Sequence, residues 1–335
     1  MSACLSRASA LAFVLSLSNV FIAATAAAQS AAMAPAAPYP NGPVRFIVPA
    51  TPGGTTDVVA RLVAKHLADA WASPVIVENR AGGGGVVGAS YVVGTKPDGQ
   101  TVLVVPSAFG VRAALDHKLT YDPMKDLVGI GLMARAPSFL VVSPSLNVKT
   151  VPELVAASRA APNGVIYGSA GVGSTGHLHA ALFASMGGFA GTHAAYRGTP
   201  EAVTDAMLGR VQYVFSPGPN ALPLAKDGRV VILASSSAAG AKFLPGVPTV
   251  SQAGLPGYEG DDWFGALVPA GTPMAVREKL SRDIAAALAK PDVRDRLNEI
   301  GADAVSSTPT EFDAMLAAYV AKTRKLGDEI GISLN

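Results

Sequence analysis

Apolar and polar positions alternate along this chain in two periods that take turns. VRFIVPA (44–50) is a short β-branched and aromatic run and reads as a strand. TPGGTTD (51–57) is a turn, and VVARLVAKHLADAW (58–71) repeats apolar residues at three- and four-residue spacing, which predicts a helix. VIVENR (75–80) is the next strand, AGGGGVVGASYVVG (81–94) a glycine turn running into a helix, and TVLVVP (101–106) a third strand. Strands alternating with helices predict a parallel sheet with helices on both faces.

The alternation resumes after a break near SPSLNVKT (143–150). VPELVAASRAA (151–161) is helical, with Pro152 in the first turn, where proline is tolerated. VIYGSA (165–170), HAAYRG (193–198), VQYVFS (211–216) and VVILASS (230–236) read as strands, and most are separated by helices. The tail from residue 272 to 327 is helical, and Thr272 and Thr308 stand before helix-starting prolines as expected N-caps. A late extended segment, WFGALVPAG (263–271), is expected to carry the chain back to the first of two α/β lobes.

The amino terminus stands outside this pattern. Arg7 is followed by ALAFVLSLSNVFIAATA (10–26) and then small residues, the order of a secretory signal with cleavage expected after Ala28. The apolar run is shorter than the ~20 residues of a membrane span. Residues 29–39 read as a flexible lead-in. Cys4, the one cysteine, precedes the apolar run, so the exported chain has none, and disulfides, thiolate nucleophiles and zinc–thiolate sites are excluded. These features point to a soluble periplasmic protein. The chain has 335 residues, 50% of them hydrophobic, enough for two domains. With 15% charged residues and a net charge of +2, no strong attraction to nucleic acid is expected.

Candidate chemistry centres on three strand–glycine–helix units: 46–57, 75–89 and 165–177. Each helix start presents unpaired N–H groups and the positive dipole end to its turn, a setting that favours an anion. Two of the turns, Gly171/Gly173/Gly176 and Gly83/Gly85/Gly88, have the G-x-G-x-x-G spacing of a dinucleotide site. The acidic residue such a site needs about 20 positions on, to hold the ribose, is missing after both. His177 and His179 are two apart and fall on different helix faces, which argues against a metal chelate. Ser169 and Ser174 lack the flanking glycines of a nucleophile elbow. Asp261 and Asp262 are adjacent acids, read as part of a solvated loop. Tyr196 and Phe109 read as core aromatics or ligand flanks.

YPNGPVRFIVPATPGGTTDVVARLVAKHL (39–67), VIVENRAGGGGVVGA and KPDGQTVLV (96–104) together resemble the extracytoplasmic substrate-binding receptors of tripartite tricarboxylate transporters, the Bug-type receptors. LTYDPMKDL (119–127), GSAGVGSTGHLHAALF (168–183), HAAYRGTPEAVTDAMLG (193–209), LPGVPTVSQAGLPGYE (244–259) and PDVRDRLNEIG (291–301) continue the likeness in order. The resemblance implies a two-lobed type II periplasmic-binding fold, α/β, with a mainly parallel sheet in each lobe and a cleft between them. It implies lobe 1 from residues 40–140 plus 265–335 and lobe 2 from 141–264. It also implies a small di-, tri- or aromatic carboxylate held largely by backbone N–H groups. The implied ligand loops are Pro52, Gly53, Gly54, Thr55, Thr56 and Asp57, faced by Ser169, Ala170, Gly171, Val172, Gly173, Ser174 and Thr175. Ser107, Ala108, Phe109, Tyr196 and Arg197 line the sides. The implied partners are membrane permease subunits, with a monomeric receptor, no cofactor, no metal and no catalytic residue. Two motifs depart from the family: ENRAGGGG lacks the proline of ENRPGAGG, and AYRG stands for PYKG, so Arg197 supplies a bidentate fork if it faces the cleft. An exported hydrolase or dehydrogenase and a ligand-sensing domain are the alternatives.

Overall fold

The sequence pattern folds into a hydrogen-bonded sheet whose strands lie side by side in the order Val75–Asn79, Val44–Val48, Thr101–Pro106, Asp261–Pro269, Leu127–Val142, Tyr213–Pro217, Val165–Ser169 and Gly191–Ala195, and Val231–Ser235 and Asp303–Ala304 also pair with Leu127–Val142. The computed structural model describes residues 39–335 apart from 163, 239, 241–243, 333 and 335, and residues 42–335 form one compact unit. The expected signal segment (1–28) and residues 29–38 of the lead-in lie outside the described residues.

The strands are β1 (Val44–Val48), β2 (Val75–Asn79), β3 (Thr101–Pro106), β4 (Leu127–Val142), β5 (Val165–Ser169), β6 (Gly191–Ala195), β7 (Tyr213–Pro217), β8 (Val231–Ser235), β9 (Asp261–Pro269) and β10 (Asp303–Ala304). The helices that position the site are α1 (Thr55–Trp71), α2 (Val86–Val93), α3 (Ala108–Leu115), α4 (Val151–Ala160), α5 (Thr175–Gly187) and α6 (Thr199–Met207). They are followed by α7 (Gly218–Lys226), α8 (Met274–Leu288), α9 (Pro291–Glu299) and α10 (Pro309–Ile330).

The outer strands pair in parallel, β2-β1-β3 on one side and β7-β5-β6 on the other. The middle is antiparallel, because β9 runs against both β3 and β4, and β4 runs against β7. β4, at 16 residues, spans both halves: Leu127–Pro137 pairs with β9 and Ser138–Val142 with β7. Pro137, which has no N–H to donate, sits where β4 changes partner. This register decides where the chemistry lies. Pro106 at the end of β3 pairs with Phe264, which pairs with Ala134; Pro217 at the end of β7 pairs with Ser138. The carboxyl ends of the two parallel sets therefore approach the same short stretch of β4 from opposite directions.

Apolar burial holds each half in place. On α1, Val59, Ala60, Val63, Ala64 and Leu67 recur at helical spacing and are buried beside Val44, Phe46, Ile47 and Val48 of β1. Each fully buried Val or Leu contributes on the order of 1.5–3 kcal/mol. Phe183, Tyr213, Phe215 and Tyr258 form a packed aromatic group in the other half.

Thr308 caps α10 in a reciprocal box with Glu311. Thr272 departs from the expected cap: Pro273 occupies the N-cap of α8, and the Thr272 hydroxyl donates instead to the Pro269 carbonyl at 2.8 Å. Close packing also fixes Gly131 on β4, where an added Cβ would lie 2.6 Å from the Ser307 carbonyl oxygen. Gly131→Ala is expected to cost about 1–3 kcal/mol in chemical denaturation; an unchanged midpoint would show that the Ser307 turn yields freely.

Candidate functional site

The first glycine loop is tied down from below by its own helix. Asp57, in the first turn of α1, is buried, and one of its oxygens accepts the Gly53 N–H at 2.9 Å. Arg61, one turn on, donates to the same carboxylate at 3.0 Å, and Asn79 at the end of β2 donates to it at 2.9 Å and to the Ala50 carbonyl at 3.1 Å. Burial alone would raise the Asp57 carboxyl, but hydrogen bonds from Arg61, Gly53 and Asn79 outweigh it and hold the group below the usual carboxylate range. Gly53, at φ +85°, makes the bend that aims its N–H back at Asp57.

The Gly53 N–H thus serves the loop itself. The N–H groups of Gly54, Thr55, Thr56 and Asp57 have no protein acceptor among the described residues, and Gly54 caps α1 without a side-chain bond. Pro52, Gly53 and Gly54 are exposed.

The second loop is latched by side chains. Ser174 caps α5, accepting the His177 N–H at 3.2 Å. Ser169 Oγ accepts from the Gly171 N–H at 3.2 Å and lies 2.7 Å from His193 Nε2. The Gly173 N–H donates to His177 Nδ1 at 3.2 Å, and Ser174 N–H to the Gly171 carbonyl at 3.2 Å. Ala170, Val172, Thr175 and Gly176 keep N–H groups without a protein acceptor among the described residues. Gly173 has φ +75°, and a Cβ there would strike the Leu334 side chain; the Leu334 N–H donates to the Leu115 carbonyl at 3.1 Å. The second loop and the end of α3 are therefore bridged by one residue.

His177 and His193 stack with ring centroids 3.7 Å apart, and Tyr167 stacks on His193 at 5.2 Å. Burial, and then the charge of His193, push His177 down to about 4, and burial lowers His193 as well. The neutral imidazole is the form whose Nδ1 can accept from Gly173. Between pH 6.5, the ordinary histidine value, and about 4, the unfolded chain holds a proton on this residue that the folded chain lacks. Stability from this group is therefore full above pH 6.5 and is lost as pH falls through that window. A melting-temperature titration should fall more steeply over this range for the natural chain than for His177→Gln; parallel curves would exclude His177 as the titrating group.

The side residues take different positions. Ser107, at the end of β3, is buried and donates to Asp262 Oδ1 at 3.0 Å, while Ser138 of β4 donates to Asp262 Oδ2 at 2.9 Å. Asp262 lies in strand β9 and is 9% exposed, so it is not in a solvated loop. Asp261, which begins the same strand, pairs with Arg135 at 3.0 Å. The two acids were legible as a pair but not as a strand start, because nothing in their spacing shows which hydroxyls approach them. Phe109 is a core residue, and it shares a cavity of ≈ 30 Å³ with Ala108, Pro49, Gly84 and Gly85. That cavity brings the start of the first glycine loop, the second glycine turn and the start of α3 to one place.

Tyr196 is half-buried and donates to Asp205 at 2.7 Å, and burial together with this bond raises its phenol to about 12. The Arg197 side chain is exposed, and its backbone N–H donates to Glu201 at 3.1 Å. Arg61, Asn79, Asp262, His177 and His193 shape the site without having been singled out for it. Only the Asp57–Arg61 spacing of four carried a signal in the sequence.

A serine beside a histidine invites a catalytic reading. Ser169 is 1% exposed, and His193 has no carboxylate partner among the described residues, so the arrangement positions a loop rather than a nucleophile. Among those residues no group of three or more His, Cys, Asp or Glu is placed to hold a metal, and no helix is long and apolar enough to cross a membrane.

A family model described as the tripartite tricarboxylate transporter family receptor matches residues 59–332. The chain is 32% identical over 323 residues to protein BugT of Bordetella pertussis, covering 96% of this chain and 98% of that protein. The structure of R. palustris Rpa4515 with adipate matches with a TM-score of 0.76 at 33% identity, covering 88% of this chain and 99% of that one. MatC from Rhodopseudomonas palustris with bound malate matches with a TM-score of 0.70 at 28% identity, covering 86% and 99%.

Proposed function

We propose, from the premise that this chain belongs to the tripartite tricarboxylate transporter receptor family and is a solute-binding receptor rather than an enzyme, that its solute is a small dicarboxylate. Adipate and malate in two relatives support that class. The observation that carries the reading is the pair of helix starts, at Thr55 and Thr175, whose N–H groups lack protein acceptors among the described residues. Each well-made bond from such a group to a carboxylate contributes about 1.5–3 kcal/mol. Three to five of them reach the roughly 8 kcal/mol of micromolar binding.

In this proposal residues 40–140 with 265–335 form one lobe and 141–264 the other, joined by the strands that cross the middle of the sheet. The dicarboxylate binds the N–H groups of Gly54, Thr55 and Thr56 on one side and those of Ala170, Val172, Thr175 and Gly176 on the other, with Ser107–Phe109 at the flank. Asp57 and His177 hold the two loops in shape. Closure follows because the solute touches both lobes only when they approach, so it favours the closed form by that difference. The exported receptor, freed of residues 1–28 in the periplasm, then hands the acid as a monomer to membrane permease subunits. Arg197 stays at the rim and tunes the approach of anions.

Thermal melting against adipate, malate, citrate, benzoate and NAD tests this. A dicarboxylate at ~100 times its Kd adds about 2.7 kcal/mol and should raise the melting temperature by roughly 4 °C. Stabilisation by NAD alone, or by none of the acids, would contradict it.

A further inference from the structure

The cavity of ≈ 30 Å³ that Ala108 and Phe109 share with Gly84 and Gly85 has two further polar residues in its wall, Arg112 of α3 and Tyr121. It adjoins the candidate dicarboxylate site, because Ala108 and Phe109 belong to both. Arg112 commits two of its three nitrogens to the protein: Nε donates to the Gly84 carbonyl at 3.2 Å and Nη1 to Asp116 at 2.6 Å. Nη2 has no acceptor among the described residues, and it lies over the second glycine turn, where a Cβ on Gly84 would strike it. Tyr121 is half-buried, and its hydroxyl has no hydrogen-bond partner among the described residues. Both free atoms keep accessible surface, unlike the sealed indole nitrogen of Trp263. Burial raises the Tyr121 phenol to about 12, so at neutral pH it keeps its proton and can both donate and accept. One unanswered donor and one unanswered hydroxyl therefore line a small space beside the candidate site.

We infer that this cavity reads a hydroxyl group on the carbon chain of the solute, which makes hydroxylated dicarboxylates the receptor's preferred class. The inference rests on the dicarboxylate reading and narrows it. Size is the first argument. A water needs ~10–15 Å³ of such space, so the cavity takes one or two water-sized groups, and a third carboxylate arm does not fit. Charge is the second. Asp116 answers Arg112 at 2.6 Å, so the wall carries no net charge that would call for another anion. Hydrogen bonding is the third. A hydroxyl accepts from Nη2 and donates to the Tyr121 oxygen, answering both groups. An ammonium of the same size only donates and leaves Nη2 without an acceptor, and a methyl leaves both groups without a partner. A plain dicarboxylate leaves the cavity to water, so the solute itself gains neither bond. Because Arg112 is clamped to Gly84, Nη2 is in place before the solute arrives, and little freedom is lost on binding.

Titration calorimetry of the full exported chain with two matched pairs tests this: malate against succinate, and 2-hydroxyglutarate against glutarate, each hydroxy acid taken as both enantiomers. The members of a pair differ by one hydroxyl. In at least one pair the better hydroxy acid should bind roughly 10-fold or more tightly than its plain partner, the scale of a bond from a charged donor. Tyr121→Phe removes a hydroxyl that bonds nothing in the protein, so the melting temperature should hold while the affinity ratio within that pair falls several-fold. Arg112→Gln should lower the same ratio, and Tyr121→Phe decides the matter if the arginine variant folds poorly. A merely structural role would weaken both members of a pair alike and leave their ratio unchanged. Equal affinity within both pairs, or a ratio that survives both variants, would overturn the inference while the dicarboxylate reading stands. Binding of none of the four acids would contradict the dicarboxylate reading, and this inference would fall with it.

Discussion

Replacing Thr55 and Thr175 by proline is expected to weaken dicarboxylate binding by roughly 10- to 150-fold for each substitution while leaving the fold intact. Each threonine is the first residue of its helix, where proline's fixed backbone angle suits the helix and its missing N–H removes no intrahelical bond. The preceding residues already have the extended conformation that proline requires: Gly54 at ψ 166° and Ser174 at ψ 154°. The substitution thus deletes one N–H from the candidate site and little else. A bond from that N–H to a carboxylate is worth about 1.5–3 kcal/mol, which sets the fold-change. Thr55→Ala and Thr175→Ala remove the side chains but keep the N–H groups, so calorimetry should show smaller losses for them. Equal losses for alanine and proline would mean that the hydroxyls, not the backbone, hold the acid.

The second large effect is on stability. Asp262→Ala should lower unfolding free energy by about 2–5 kcal/mol, because it leaves the buried hydroxyls of Ser107 and Ser138 without their acceptor. For a chain of this size that corresponds to a fall of about 3–8 °C in melting temperature. The losses should not be additive. Once Ser107 and Ser138 are alanine, removing Asp262 strands no hydroxyl, so its further effect should shrink. A fall of less than about 2 °C for Asp262→Ala would show that water replaces the carboxylate at the junction.

The outer strands and long helices were legible because their residues carry one period each. VIYGSA, VQYVFS and TVLVVP are apolar runs bounded by turns, and each forms a strand. The central strand β4 was not legible. LVGIGLMARAPSFLVV contains Gly129, Gly131 and Pro137, residues that weaken a strand signal, and its register shifts twice against β9. Glycine is required there by what lies opposite: Asp313 and Phe312 over Gly129, and the Ser307 carbonyl over Gly131. Tertiary contact, which no local pattern records, sets that choice. The antiparallel middle of the sheet was hidden with it.

The candidate site divides along the same line. The three glycine turns were legible from their spacing, since a sharp bend before a helix leaves its mark in residue type. Which N–H groups remain for a ligand was not. Asp57 takes the Gly53 N–H, and His177 and Ser169 take those of Gly173 and Gly171, so three glycines that look like ligand contacts serve the loops themselves. Those bonds depend on side chains returning from the helix or arriving from another strand, as His193 does beside Ser169.

The most direct test is a crystal structure of the exported chain grown with adipate. It should place one carboxylate within hydrogen-bonding reach of the Thr55–Thr56 amides and bring the acid against the Thr175–Gly176 amides on the opposite side. A well-ordered acid whose carboxylates lie away from both helix starts would contradict the account.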